Sequence, residues 1–404
     1  MSALRVAYVC ADPGIPVFGT KGASVHLQEL VRAWRSRGAD VEVYAVRRGE
    51  DVPADLADLT VHVVPVARAG SDPADREVAQ QQAAAELAQR VLAAAPDVVH
   101  ERYSLFSTVL SRVRGGLAGA HPEQDCAMVL EVNAPLVDEQ RAHRVLVDEG
   151  AAERALKAQL SAADVVACVS EPVAAWIRTR LSPGDPSVTV TPNGVNTDRI
   201  RPVCPDLSTV PVVVFVGTLK PWHGVDDLIR AAALARVPWR LRLVGDGPER
   251  ARLEELAGEL DVEVEMVGAV APEQIPGALR GALVAAAPYP ERVDHYFSPL
   301  KIYEYAAAAL PVVASRIGQI PEVVQDGRTG LLVPPSDPRA LAAAIDRLVA
   351  DPATAQQMGA AARAQMESAH SWTHVLDATL APLGAPWGPG ASAPKESSWL
   401  PRTV

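Results

Sequence analysis

Apolar runs of strand length alternate with stretches of helical periodicity along most of the chain. The runs at residues 4–10, 41–46, 61–66, 98–100, 128–132, 165–169 and 188–190 read as buried strands. Helical patterns lie between them, over residues 24–37, 75–94, 105–114, 150–162 and 172–181. This is the βαβ rhythm of a doubly wound parallel sheet. The rhythm restarts with strands at 212–216, 240–244, 262–267, 283–287, 311–314 and 330–333. Between the two sets, "TPNGVNTDRIRPVCPDLSTVP" is rich in Pro, Asn, Asp and Thr and reads as a linker. The pattern predicts an α/β chain of two Rossmann-like doubly wound parallel-sheet domains, residues 1–195 and 196–370. A helical stretch at 371–383 follows. The Pro-, Gly- and Ser-rich segment 384–404, with Trp387 and Trp399, reads as a disordered tail.

A chain of 404 residues has length enough for two cores. The formal charge of -11 argues against nucleic acid as a partner and against electrostatic attachment to an anionic membrane. No apolar run reaches the length of a membrane span. Arg5 interrupts the first apolar run and no small-residue cleavage site follows, so no signal peptide is read. Cys10, Cys126, Cys168 and Cys204 lie far apart with no C-x-x-C pair, as expected of reduced core thiols in a cytoplasmic protein. No His/Cys/Asp cluster has ligand spacing, so neither a metal nor a cofactor is expected.

The candidate chemistry sits where strands give way to loops and helices. After the strand at 283–287, a polar loop leads to Ser298-Pro299, a good N-cap followed by a residue suited to the first helical position. Leu300 and Lys301 fall in the first turn, where unpaired N–H groups and the helix dipole favour an anion. Glu304, deeper in the helix, is placed to accept hydrogen bonds from hydroxyls beside that anion. The same pattern fits an ordinary strand–helix unit with a solvated glutamate. Gly19, Thr20 and Lys21 precede a helix opening near Ser24, with His26 in its first turn; the spacing is not G-x-G-x-x-G. Gly217 and Thr218 begin a second glycine turn that carries Lys220 and His223, and Gly268–Val270 is a third loop. Arg102 in "VVHERYS" and Glu131 and Asn133 in "LEVNAPL" lie at strand C-termini, the edge where open α/β sheets bind ligands. Arg102 suits a phosphate or Glu101 equally well. The Asn133 amide can hydrogen-bond a sugar hydroxyl but cannot act as a base.

In order along residues 3–380, "GTKGASVH", "PNGV", "VGTLKPWHG", "VGDGPE", "FSPLKIYEY" and "GRTGLLVPPSDP" resemble the motifs of family 4 glycosyltransferases. The resemblance implies a GT-B fold, two Rossmann-like domains facing across a cleft. It implies a retaining enzyme that needs no metal and moves a sugar from a nucleotide-diphosphate sugar. The donor expected is a UDP- or GDP-sugar and the acceptor a small soluble molecule, attacked through O, N or S, in specialised-metabolite or glycoconjugate biosynthesis. By resemblance the first domain takes the acceptor, the second takes the donor, and the helix at 371–383 packs back on the first. Glu304 would hold the ribose and the Gly268–Val270 loop would face the base. Gly19, Thr20, Gly217, Thr218 and the run Ser298, Pro299, Leu300 and Lys301 would line the donor. Lys21, His26, Arg102 and Glu131 would lie on the acceptor side. Lys220, His223 and Asn133 would carry the catalytic roles, His223 when protonated.

The chain also departs from that pattern. The first of the family's two glutamates falls on Tyr296, and the Arg and Lys that clamp the diphosphate fall on Thr218 and His223. A closing glycine falls on Ala309, at a cost of about 1 kcal/mol if the left-handed conformation is kept. Two rival readings remain at this level: a GT-B nucleotide-sugar epimerase or hydrolase, and a non-catalytic partner subunit. Oligomeric state is open, a homodimer included.

Overall fold

The computed structural model describes residues 3–67, 72–120, 125–292 and 295–384. Chain contacts divide it into two units. One runs to Pro192 and includes the residues from Val375 onward; the other is Asn193–His374. The segment expected to be a disordered tail lies outside the described residues beyond Gly384, Trp387 and Trp399 included.

The first unit holds a seven-stranded parallel sheet: β1 (Arg5–Cys10), β2 (Asp40–Ala45), β3 (Val61–Val63), β4 (Val98–Arg102), β5 (Ala127–Val132), β6 (Val165–Cys168) and β7 (Val188–Val190). Their order is β3-β2-β1-β4-β5-β6-β7. β4 and β5 are buried along their whole length; β5 accordingly reads as a nearly unbroken apolar run, whereas β4 carries the polar His100, Glu101 and Arg102. β4 continues two residues past the expected end and carries Glu101 and Arg102 into the sheet. β3 ends at Val63, three residues earlier than expected, close to Pro65, which has no N–H for a ladder.

The second unit holds a six-stranded parallel sheet: β8 (Val212–Val216), β9 (Arg240–Val244), β10 (Val264–Gly268), β11 (Ala282–Ala287), β12 (Val312–Ser315) and β13 (Gly330–Val333). The order is β10-β9-β8-β11-β12-β13. Two apolar clusters cover its faces. One gathers Val214, Ile302, Tyr305 and Met366; the other gathers Phe215, Leu228, Leu253 and Ile345. Each sheet reverses direction of winding at one place, between β1 and β4 and between β8 and β11, and such switch points open a crevice at the strand C-termini.

Cys10 and Cys168 are buried strand residues, but Cys204 is exposed, so it is no core thiol. Ala309 keeps the left-handed backbone expected of a glycine, with φ 58°, and closes its helix by donating to Ala306 O at 3.0 Å.

Candidate active site

In the second unit the switch point brings together the turn after β8 and the helix after β11. Val216 ends β8 by donating its N–H to the Tyr305 hydroxyl at 2.6 Å. Gly217 follows with φ 150°, and a Cβ there would lie 2.7 Å from Lys301 Nζ. The turn is therefore free of side chain where the lysine arrives from the Leu300–Ala307 helix. Lys301 Nζ is buried and has no hydrogen-bond acceptor among the described residues. It lies 4.1 Å from the Phe215 ring centroid and 5.4 Å from that of Tyr289. Burial pushes its pKa down to about 7, against the pull of Glu304.

Lys220 stays nearer solvent, its Nζ 5.2 Å over the Trp222 ring. His223 Nδ1 hydrogen-bonds Thr218 O, and since a carbonyl can only accept, Nδ1 carries the proton. Burial, then the Lys301 charge, push His223 down to about 3. It is neutral here, so Nε2 is an acceptor. The sequence reading gives His223 a role only when protonated beside a diphosphate; without one the ring, packed among Phe215, Trp222 and Tyr289, is neutral.

Ser298 is not the expected N-cap. Pro299 holds that position and no side chain caps the helix. The Ser298 hydroxyl instead pairs with the Tyr303 hydroxyl at 3.0 Å and accepts from Asn193 N at 3.3 Å. Asn193 Nδ2 donates to Ser298 O at 2.6 Å, so the "PNGV" segment fastens the loop before the helix. Glu304 Oε1 stands 3.8 Å from Arg199 Nη2, and Arg199 Nη1 donates to Pro272 O at 3.1 Å. Arg199 thereby links Glu304 to the segment just after Gly268 and Val270. Sequence reasoning passed over Arg199, because it lies in the polar linker.

In the first unit, alternation along neighbouring strands puts Tyr8, His100, Arg102 and Glu131 on one sheet face, with Tyr8 beside His100 and Arg102 beside Glu131. Glu131 is the hub. Its carboxylate accepts from Arg102 Nη1 at 2.9 Å, Tyr8 Oη at 3.2 Å and the Asn133 amide. His26 Nε2 stands at 2.8 Å and His100 Nε2 at 3.4 Å. Trp34 Nε1 donates to His100 Nδ1, so the proton of that ring sits on Nε2, facing Glu131. Burial alone would raise the Glu131 pKa; His26, His100 and Arg102 outweigh it and hold the carboxyl well below the usual range.

Four expected residues, His26, Arg102, Glu131 and Asn133, thus meet. Arg102 pairs with Glu131, not with Glu101. Glu101 points to the other face, where it accepts from Ser107 Oγ and from Leu110 N, and burial pushes it up to about 7. His100, Tyr8 and Trp34 were missed; the polar alternation in "HER" was the available signal. A small pocket opens on this cluster, lined by His26, His100, Glu131, Asn133 and Thr191 with Leu30, Val169 and Val375. The loop before it is stapled by Gln28 Nε2, which donates to Val17 O and Gly19 O, while Thr20 and Lys21 are exposed. The helix there opens at Gly22, not Ser24, whose hydroxyl donates to Pro16 O. Among the described residues no group of three or more His, Cys, Asp or Glu side chains is arranged to hold a metal, and no helix is long and apolar enough to cross a membrane.

Comparison with known proteins decides the family. The profile described as "Glycosyltransferase Family 4" matches residues 20–199, and "Glycosyl transferases group 1" matches 210–351. The chain is 30% identical to the alpha-maltose-1-phosphate synthase of Mycolicibacterium smegmatis, over 93% of this chain and 98% of that protein. The chain belongs to glycosyltransferase family 4. It is also 30% identical to the D-inositol 3-phosphate glycosyltransferase of Acidothermus cellulolyticus, over 92% of this chain and 85% of that one. A 37% match to the GDP-mannose-dependent alpha-(1-6)-phosphatidylinositol monomannoside mannosyltransferase of M. smegmatis spans only 43% of this chain and 50% of that protein. Among solved structures, sucrose-phosphate synthase from Thermosynechococcus elongatus superposes with a TM-score of 0.69 at 23% identity, over 92% of this chain and 96% of that one. With two parallel-sheet Rossmann-like units, this glycosyltransferase has the GT-B fold.

Proposed function

We propose that this family 4 enzyme is a retaining, metal-independent glycosyltransferase that moves a sugar from a nucleotide-diphosphate sugar to a small soluble acceptor. The observation that carries the reading is the second unit's switch point. A buried lysine amino group, a turn without side chain at Gly217 and a carboxylate at Glu304 lie on converging elements. The lysine suits a diphosphate and the carboxylate suits ribose hydroxyls. The GDP-mannose dependence in the name of one relative supports a nucleotide-sugar donor. The phosphorylated product and acceptor in the names of two others support an acceptor that carries a phosphate.

In this reading the second unit, residues 196–370 in the sequence division, binds the donor. Lys220 and Lys301 draw the leaving diphosphate and stabilise charge as the C1–O bond breaks. The acceptor bonds to C1 and gives its proton to the departing phosphate oxygen. Neither Glu131 nor Asn133 is a strong base for that proton. Glu131 is held as a stable carboxylate by its five neighbours, and Asn133 is an amide. These residues orient the acceptor side instead.

Thermal-shift measurement with UDP, GDP, ADP and dTDP tests the donor, since a nucleotide at 100 times its Kd stabilises by about 2.7 kcal/mol. At least one is expected to raise Tm. With that nucleotide's sugar, turnover with and without EDTA and the anomeric configuration of the product test the rest. No shift with any nucleotide, or turnover lost in EDTA and restored by magnesium or manganese, refutes the proposal.

A further inference from the structure

The Lys301 amino group is in an unusual position for a group that is ordinarily a cation. Its Nζ is buried and has no hydrogen-bond acceptor among the described residues. The β8 end offers the Phe215 ring and the bare Gly217 turn. The loop after that turn offers neutral His223, with Lys220 beyond it. The residues after β11 offer the Tyr289 ring. Its own helix offers Glu304, which is drawn toward Arg199. The aromatic faces attract a cation, but by less than water would when the group is otherwise unpaired. Among the described residues no anion reaches hydrogen-bond distance of this Nζ.

We propose that Lys301 is held as a neutral amine in the free enzyme and takes a proton from solvent when a nucleoside diphosphate enters, so that donor binding is coupled to proton uptake. This rests on the donor reading above. The geometry puts Nζ in the gap that a side chain at residue 217 would fill, so an anion reaching the turn meets Nζ directly. The fall of its pKa to about 7 by burial agrees, because an adjacent dianion reverses that fall. The β-phosphate is already dianionic at pH 8, its second pKa being about 6, so it cannot be what takes up the proton there.

The experiment is calorimetric titration of the full chain with UDP and GDP at pH 8.0, in two buffers of different ionisation enthalpy. The buffer dependence reads the protons taken up per nucleotide bound. Roughly 0.9 proton is expected for the wild type, the neutral fraction at pH 8 of a group with pKa about 7. Lys301→Arg is expected to bind with uptake near zero, since a guanidinium is already charged. Lys301→Met is expected to bind roughly 10–100-fold more weakly, also without uptake. His223→Asn is expected to keep the uptake. Binding without uptake in the wild type, uptake that survives in Lys301→Met, or uptake lost only in His223→Asn overturns the inference alone. Failure of UDP, GDP, ADP and dTDP alike to bind overturns it together with the donor reading.

Discussion

Glu131→Gln is the sharpest test of the first unit's polar centre. The substitution keeps size and removes one charge. The carboxylate it replaces is 8% exposed at the side chain, and Arg102, at 10%, depends on it at 2.9 Å. Taking one partner from a buried ion pair costs about 3–5 kcal/mol, because the other charge is left uncompensated. The amide softens this little. Its oxygen can still accept one or two bonds, but its NH2 must face donors among Tyr8, Arg102, His26, Asn133 and His100. The expected loss is about 3–4 kcal/mol, or roughly 6–15 °C in Tm for a unit of this size.

The pH dependence has a definite sign. Glu131 has its folded pKa held below its unfolded value of 4.5, so its contribution is fully present above about pH 5 and is lost as the pH falls below that. The gap between wild type and Glu131→Gln should be flat from pH 6 to 8 and close on acidification. Urea unfolding followed by circular dichroism at pH 7.5 and at pH 4 measures both. Adding Arg102→Met should recover at least 1 kcal/mol of the loss, since it removes the stranded charge. A gap below about 1 kcal/mol at pH 7.5, or no recovery in the double variant, would refute the account of Glu131 as the hub.

Three further outcomes are expected. Glu304→Gln should weaken UDP or GDP binding by roughly 10–100-fold in calorimetry, the scale of a lost hydrogen bond to a charged group, with the fold intact; unchanged affinity removes Glu304 from the donor site. Lys220→Ala should lower kcat by roughly 10²–10³ in steady-state kinetics, and near-full activity would leave the leaving group to Lys301 and the helix terminus. Ala309→Gly should stabilise the protein by about 1 kcal/mol in urea, because φ 58° costs a side chain that much; an unchanged midpoint means the strain is offset elsewhere.

The strands were legible because the central ones are buried on both faces and so are spelled in unbroken apolar residues. The same rule hid the end of β4. Polar Glu101 and Arg102 read as lying beyond the strand, and only pairing with β5 makes them part of it. At Ser298-Pro299 the local capping pattern pointed to a hydrogen bond that tertiary partners took instead, since Asn193 and Tyr303 claim the hydroxyl. Lys301 was legible as a first-turn residue beside an anion site. Its burial was not, because nothing local in "SPLKIYEY" says that Phe215 and Tyr289, distant in sequence, wall it in. Arg199 left no trace for the same reason: its partners are Glu304 and Pro272 O, some seventy to a hundred residues away.

The replacement of the family's loop cations by Thr218 and His223 has a physical consequence for where the charge is kept. β8 and β11 are neighbours in the sheet, so the turn after one and the helix after the other reach the same place at their C-terminal ends. A cation missing from the turn can therefore be supplied by the helix, and Lys301 stands where it would be needed. The two arrangements differ in solvation. A loop arginine is charged at all times and hydrated when no donor is bound. A helix lysine between aromatic rings is dehydrated and pays for its position in stability: a fall from 10.5 to about 7 amounts to a few kcal/mol at neutral pH. On the proposed donor reading, an anion at the turn relieves that cost. On that reading the arrangement trades stability of the free protein for discrimination in favour of a ligand that brings negative charge to Gly217, while His223, neutral and tied to Thr218 O, holds the shape of the turn.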